Sequence, residues 1–120
     1  MGRFEMIWIT KKLAVSSMSW VEVKKPKGIT IVDVRDLKDV GENDEKLFKS
    51  KVDKVETNIK SGKKVVICCD SGINRSSAVA LAYLIRTGMS FEEAYELIKR
   101  KNPLAEIDVD LLNLVRKVSK

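Results

Sequence analysis

The sequence predicts an α/β fold in which a small, mainly parallel central sheet is flanked by helices. Two apolar runs rich in β-branched residues, Ile29–Val34 and Val65–Cys69, indicate buried strands. Each run is followed by a segment with helical periodicity, and this alternation is typical of parallel sheets. With 120 residues, the chain is expected to form a single compact domain, 1–120, around one core.

The segments before the first of these runs are expected to be short. Apolar alternation predicts a strand over Phe4 to Thr10 and a second strand beside it over Lys12 to Ser16. A helical turn is expected over Ser19 to Lys25, with Ser19 as its N-cap. The density of β-branched residues in Ile29–Val34 predicts a central, buried position for that strand.

Helices are expected to follow both apolar runs. A helix predicted over Asp44 to Ser61 carries an apolar face, with lysines and glutamates on the other face. A second helix is expected from Arg75 to Thr87. A capping box at Ser90 opens a third that continues to about Lys101, and Asp108 or Asp110 caps the last helix.

The composition excludes several kinds of active site. The chain has no histidine, so neither a Ser-His-Asp triad nor a Cys-His pair nor a histidine metal site can form. Its two cysteines, Cys68 and Cys69, are adjacent and too few for a structural zinc site or a secreted disulfide framework.

The formal net charge of +6 is interpreted mainly as a solvated, lysine-rich surface, because basic and acidic residues are interleaved. Attraction to anionic substrates is the functional alternative. A nucleic-acid partner is not favoured, because no aromatic platform accompanies the basic residues. With no apolar run that could span a membrane and no signal-peptide pattern, a cytoplasmic location without membrane association is expected, as a monomer by default.

A tight loop joins the strand that ends at Cys69 to the helix that begins near Arg75. Loop amides and the helix N-terminus together form a cradle for an anion. Such a setting favours a thiolate at Cys69, and the planar fork of Arg75 fits two phosphate oxygens. The residues expected to bind phosphate, mainly through backbone N–H groups apart from Arg75, are Asp70, Ser71, Gly72, Ile73, Asn74 and Arg75.

The stretch from Cys69 to Arg75, followed by Ser76, resembles the signature of the protein tyrosine phosphatase superfamily: cysteine, any five residues, arginine. The pattern around it is most similar to compact dual-specificity phosphatases, strongly from Lys64 to about Pro103 and more weakly before that. The resemblance implies the three-layer fold of those enzymes and no metal or organic cofactor. It implies that Cys69 is the nucleophile, that Arg75 binds phosphate, and that Ser76 helps the sulfur to leave.

The family's general acid is an aspartate in a loop about thirty residues before the cysteine. Asp36 follows the strand end, as the family's acid does, whereas Asp39 better suits the distance to the next helix; Asp36 is favoured by a small margin. Asp33 lies within the strand run and fits this role less well. Asp70 is expected to face outward at the rim, where it is placed to tune substrate charge preference.

Two departures from the family pattern affect the interpretation. Cys68 stands where most relatives have histidine, and it is either a buried strand residue or a redox partner of Cys69. The segment that deepens the pocket in tyrosine-specific enzymes is not evident, so phosphoserine and phosphothreonine are expected substrates beside phosphotyrosine. The alternatives are a non-catalytic phosphate-binding module, a phosphatase of RNA 5′ ends or small phosphate esters, and a sulfurtransferase or arsenate reductase.

Overall fold

The computed structural model describes residues 6–70 and 74–119. In those ranges the chain forms four strands and five helices. They are β1 (Ile7–Trp8), β2 (Leu13–Ser17), α1 (Met18–Lys24), β3 (Ile29–Asp33), α2 (Glu45–Lys60), β4 (Lys64–Cys69), α3 (Asn74–Arg86), α4 (Phe91–Lys101) and α5 (Val109–Val118). The fold is the expected mixture of a small sheet and helices. Residues 4 and 5 of the first predicted strand lie outside the described ranges.

The strands form one sheet in the order β1-β2-β4-β3. Strand β1 is antiparallel to β2, and β4 runs parallel to both of its neighbours, β2 and β3. The central position predicted for Ile29–Val34 is therefore wrong, because β3 forms an edge of the sheet. Val32 and Val34 are buried, whereas Ile31 is 40% exposed. The β-branched residues of this strand therefore reflect the burial of one of its faces and do not indicate a central position in the sheet.

Helices cover the two faces of the sheet unequally. One face carries Val15 and Ile67 into the main core, to which helices α2 to α5 contribute. The other face carries Val66 into a smaller cluster with Val21 of α1. Neighbouring residues of a strand point to opposite faces, so Cys69 belongs to the main core and Cys68 to the smaller cluster.

The helix ends agree with the sequence except at one cap. Helix α1 is capped by Ser17, whose Oγ accepts a hydrogen bond from the Trp20 amide at 3.2 Å. Ser19, the predicted cap, lies inside the helix, because α1 begins one residue after β2 ends. The capping box of Ser90 forms as predicted, and Asp108 caps α5. Within the described ranges, each helix is too short or too polar to cross a bilayer.

Candidate active site

Three parallel strands end together at one edge of the sheet. The register pairs Ser17 of β2 with Cys69 of β4, and Asp33 of β3 with Cys68. Helix α3 begins at Asn74, five residues after β4 ends. Carboxyl ends of parallel strands and the N-terminus of a following helix are where open α/β sheets place ligand sites.

Cys69 lies at the floor of this edge and is fully buried. Its Sγ is 3.5 Å from the Oγ of Ser76, and in the thiol form it donates a hydrogen bond to that hydroxyl. Ser76 is also fully buried, in the first turn of α3. A hydroxyl at this position can donate to the sulfur once the sulfur carries negative charge.

The Arg75 guanidinium is held on one side and leaves donors on the other. Nη1 donates to the carbonyl oxygens of Arg35 at 3.1 Å and Leu37 at 2.9 Å. Nη2 lies 3.3 Å from Oδ2 of Asp70, and Nε is buried without a partner in the described part of the chain. Nε and Nη2 form the side-on edge of the fork, which is the geometry that binds two oxygens of one phosphate.

Asp36 and Asp39, the two candidate acids, have different surroundings. The two carbonyls that accept from Arg75 flank Asp36, whose carboxylate pairs with Lys51 at 3.1 Å and is 54% exposed. Asp39 has one carboxyl oxygen, Oδ1, that is buried and without a partner among the described residues. The two aspartates, three residues apart, therefore differ in solvent access and in partners.

A groove of about 660 Å³ lies at the same edge of the sheet. Asp36 lines it together with Asp70, the residue after Cys69, whereas Asp39 is not part of its lining. The other lining residues come from β3, the loop that follows it and α2: Ile31, Asp33, Arg35, Lys51 and Lys54. The groove thus brings one candidate acid to the rim of the Cys69 loop.

Lys51 is a site residue that sequence reasoning missed. Its side chain is only 13% exposed, and it donates to the Asp33 carbonyl at 3.1 Å besides pairing with Asp36. The sequence pattern predicts that the lysines of this helix lie on its solvated face. The spacing nevertheless indicates the position of Lys51, because it lies four residues after Leu47, which packs against the core, and four before buried Val55. Residues four apart share one face of a helix.

The Asp33 carboxylate forms an ion pair with Arg35. Arg35 Nη2 donates to its Oδ2 at 2.8 Å, and this hydrogen bond holds the pKa of the Asp33 carboxyl below its usual range. Cys68 sits beside Asp33 in the register. Burial, with the nearby Asp33 charge, raises the pKa of the Cys68 thiol to about 12. Cys68 therefore has the character of an apolar packing residue that faces away from the Cys69 side of the sheet.

The remaining predicted phosphate-binding residues divide into two groups. Ser71, Gly72 and Ile73 lie outside the described residues. Asn74 opens α3, and its side-chain oxygen accepts from the Glu106 amide at 2.9 Å. This contact ties the α4–α5 connection to the start of α3, so the Asn74 side chain acts in positioning the helix N-terminus.

Comparison with known proteins finds a family model that matches most of the chain. The model of the dual specificity phosphatase catalytic domain matches residues 6–114. Dual specificity protein phosphatase 1-A of Xenopus laevis is 34% identical over 58 residues, which are 48% of this chain and 16% of the frog protein. Human dual specificity phosphatase 28 is 36% identical over 53 residues, 43% of this chain and 30% of that protein. The chain thus matches less than a third of either relative.

Solved structures share the architecture over almost the whole chain. Human DUSP28 superimposes with a TM-score of 0.75 at 19% identity, covering 98% of this chain and 95% of that one. The active form of Tk-PTP gives a TM-score of 0.78 at 22% identity and covers 96% of each chain. At these identities the likeness concerns the fold.

Proposed function

Since the chain belongs to the dual specificity phosphatase catalytic-domain family, we propose that it hydrolyses phosphotyrosine and phosphoserine or phosphothreonine in proteins through a cysteinyl-phosphate intermediate. One observation carries the proposal. Arg75, next to the Cys69–Ser76 pair, keeps the Nε of its side-on edge buried and without a partner in the described residues. A buried guanidinium donor without a partner is costly, and a phosphate oxygen would satisfy it.

In the first step, the Cys69 thiolate attacks phosphorus as the bond from phosphorus to the ester oxygen breaks. Arg75 holds two non-bridging oxygens and stabilises the charge they carry in the transition state. The leaving oxygen takes a proton from a general acid, which makes it a better leaving group. The products of this step are the free hydroxyl side chain and phosphate bonded to Sγ.

In the second step, water attacks phosphorus and the phosphorus–sulfur bond breaks. The carboxylate that gave its proton in the first step takes one from the water, so the acid returns to its starting form. Ser76 lies 3.5 Å from Sγ, where its hydroxyl can donate to the departing thiolate. Inorganic phosphate and the original thiolate result, so no external reactant besides water is needed.

We assign the general acid to Asp36. Arg75 binds the carbonyls on both sides of this residue, so the arginine that holds the phosphate also fixes the backbone of the acid. Asp36 lines the groove together with Asp70, the residue that follows Cys69, whereas Asp39 does not line it. The ion pair with Lys51 belongs to the carboxylate form, so it is open while Asp36 holds the proton and re-forms once the proton has passed to the leaving oxygen.

The test is hydrolysis of p-nitrophenyl phosphate and of matched phosphotyrosine, phosphothreonine and phosphoserine peptides by the full chain. Cys69→Ser should lower turnover by about a thousandfold or more, since the hydroxyl is a far weaker nucleophile. Inorganic phosphate should still bind to Cys69→Ser. Cys68→Ala is the matched control, because Cys68 faces the other side of the sheet, and it should retain turnover.

The outcomes separate the rival functions. Phosphate binding without any turnover that depends on Cys69 would replace the proposal with a phosphate-binding module. Turnover confined to small esters or to RNA 5′ phosphates would contradict the protein substrate while leaving the chemistry intact. Sulfur transfer from thiosulfate, with no phosphate release, would indicate a sulfurtransferase.

A further inference from the structure

Asp70 occupies part of the edge of Arg75 that a substrate phosphate needs. Its Oδ2 lies 3.3 Å from Nη2, while the Asp70 side chain is 72% exposed and the Arg75 side chain only 12%. The buried Arg75 side chain is therefore held in place, whereas the exposed Asp70 side chain can move. A phosphate that takes both Nε and Nη2 competes with the Asp70 carboxylate for the charge and the donors of this guanidinium.

The other acidic residues of the groove keep their partners when this happens. Asp33 is paired with Arg35 at 2.8 Å, and Asp36 with Lys51 at 3.1 Å. Among the described residues that line the groove, Asp70 is the carboxylate whose cation is also the proposed substrate ligand. Substrate binding thus weakens the pairing of one carboxylate, which lies beside the incoming phosphate dianion.

We propose that Asp70 is a specificity-determining residue that selects phosphopeptides with a lysine or arginine next to the phosphorylated residue. Such a side chain replaces Arg75 as the partner of Asp70, so the exposed carboxylate is neutralised while the phosphate binds. A peptide with an acidic neighbour instead adds a further negative group to a rim that already holds the phosphate and the Asp70 carboxylate. The inference rests on the proposed function, since it takes Arg75 as the phosphate ligand.

Arg35 is one of the cations that line the groove, with Lys51 and Lys54, and it could compete for Asp70. Asp33 is the main cause that raises the pKa of the Arg35 guanidinium, and the charges of Glu22 and then Asp70 add to it, so Arg35 and Asp70 interact electrostatically. However, Arg35 already directs Nε and Nη2 to the carboxylate of Asp33, with contacts of 2.8 to 3.1 Å. A substrate cation has no such competing partner, and this favours the peptide as the source of the neutralising charge.

The experiment compares three phosphotyrosine peptides that differ only in the flanking residue, which is arginine, glutamine or glutamate. The full chain should show kcat/KM about three- to fivefold higher for the arginine peptide than for the glutamine peptide, the size expected of one exposed ion pair. Asp70→Asn should bring this ratio close to one and should tighten competitive inhibition by inorganic phosphate severalfold. The preference should also disappear at about 1 M salt, where exposed charges are screened.

Glu92→Gln is the matched control. It removes one negative charge from the exposed first turn of α4, which follows the end of α3 remote from Arg75, so the ratio should not change. An unchanged ratio in Asp70→Asn, or a wild-type chain without preference, would overturn the inference. Dissociation constants of the same peptides for Cys69→Ser, with and without Asp70→Asn, give the same comparison when turnover is absent. Failure of the proposed hydrolysis is thereby distinguished from failure of the Asp70 assignment.

Discussion

Arg75 Nη1 donates a hydrogen bond to the carbonyl oxygen of Leu37 at 2.9 Å, a contact between residues 38 positions apart. It joins the first turn of α3 to the loop after β3. The same nitrogen also binds the carbonyl of Arg35, so the peptide segment around Asp36 is fixed relative to the guanidinium. Arg75, the proposed phosphate ligand, thus also positions the proposed acid. A substitution of Arg75 should therefore impair both phosphate binding and proton transfer.

Arg75→Lys should lower kcat/KM for an aryl phosphate by about a hundredfold or more. An ammonium cannot donate to two phosphate oxygens in a plane and at the same time bind two carbonyls of the acid loop. The measurement is steady-state kinetics beside Arg100→Lys, a matched substitution at an exposed position of α4. Near-normal activity of Arg75→Lys would contradict the role given to its fork.

Asp36→Asn should lower kcat for aryl phosphates by about a hundredfold and remove the decline of activity on the basic side of the pH profile. The loss should be greater for phenyl phosphate than for p-nitrophenyl phosphate, because the poorer leaving group depends more on protonation. Asp39→Asn is the matched control and should keep the basic limb. If Asp39→Asn removes that limb and Asp36→Asn does not, the acid is Asp39.

Much of the architecture could be predicted because local signals coincide with the fold. The run Val65–Cys69, the capping box at Ser90 and the apolar face of α2 all appear in the structure where the sequence indicates them. Strand order could not be predicted, since β-branched residues mark burial on a face and carry no information about neighbours in the sheet. For this reason the sequence predicts Ile29–Val34 at the centre, whereas the structure has β3 at the edge.

The residues of the candidate site could be predicted from the sequence, whereas the contacts between them could not. Cys69 and Arg75 can be proposed from their spacing across one loop, whereas the role of Ser76 follows from the family resemblance. The contacts of Arg75 with the loop after β3, and of Lys51 with Asp36, join residues distant in sequence and depend on how α2 packs against the sheet. Asp36 and Asp39 are indistinguishable by residue type, and their different exposure arises from that packing.

Arg86→Met should lower the free energy of unfolding by about 1–3 kcal/mol, as expected for losing charged hydrogen bonds that are largely buried. The Arg86 side chain is 11% exposed and joins three helices: Nη1 contacts Asp53 at 2.7 Å and Glu56 at 3.0 Å, and Nε donates to the Val118 carbonyl. Urea unfolding at neutral pH measures the change. Arg100→Met, at an exposed position, should stay within about 0.5 kcal/mol of the wild type.

The Arg86 effect should depend on pH. The hydrogen bond from Arg86 lowers the pKa of the Asp53 carboxyl below its usual range, so the carboxylate is the form that the folded state favours. This contribution is present above the unfolded pKa and is lost as pH falls through the lower folded pKa. The difference in stability between Arg86→Met and the wild type should therefore narrow below about pH 4. A difference that grows on acidification would contradict the assignment.

Iodoacetamide should alkylate one cysteine of the folded chain, and the modified residue should be Cys69. The pKa of Cys68 is raised to about 12, so at neutral pH this residue stays a thiol, the unreactive form, and it is buried in the cluster on the far face of the sheet. Cys69 contacts Ser76 in the first turn of α3, and we expect this helix N-terminus to favour the thiolate. Intact-mass analysis should give a single adduct, formed in parallel with loss of turnover and slowed by inorganic phosphate.

Cys68→Ala is the control and should be modified at the same rate as the wild type. An adduct on Cys68, or modification that phosphate does not slow, would show that the reactive thiol is not at the phosphate site.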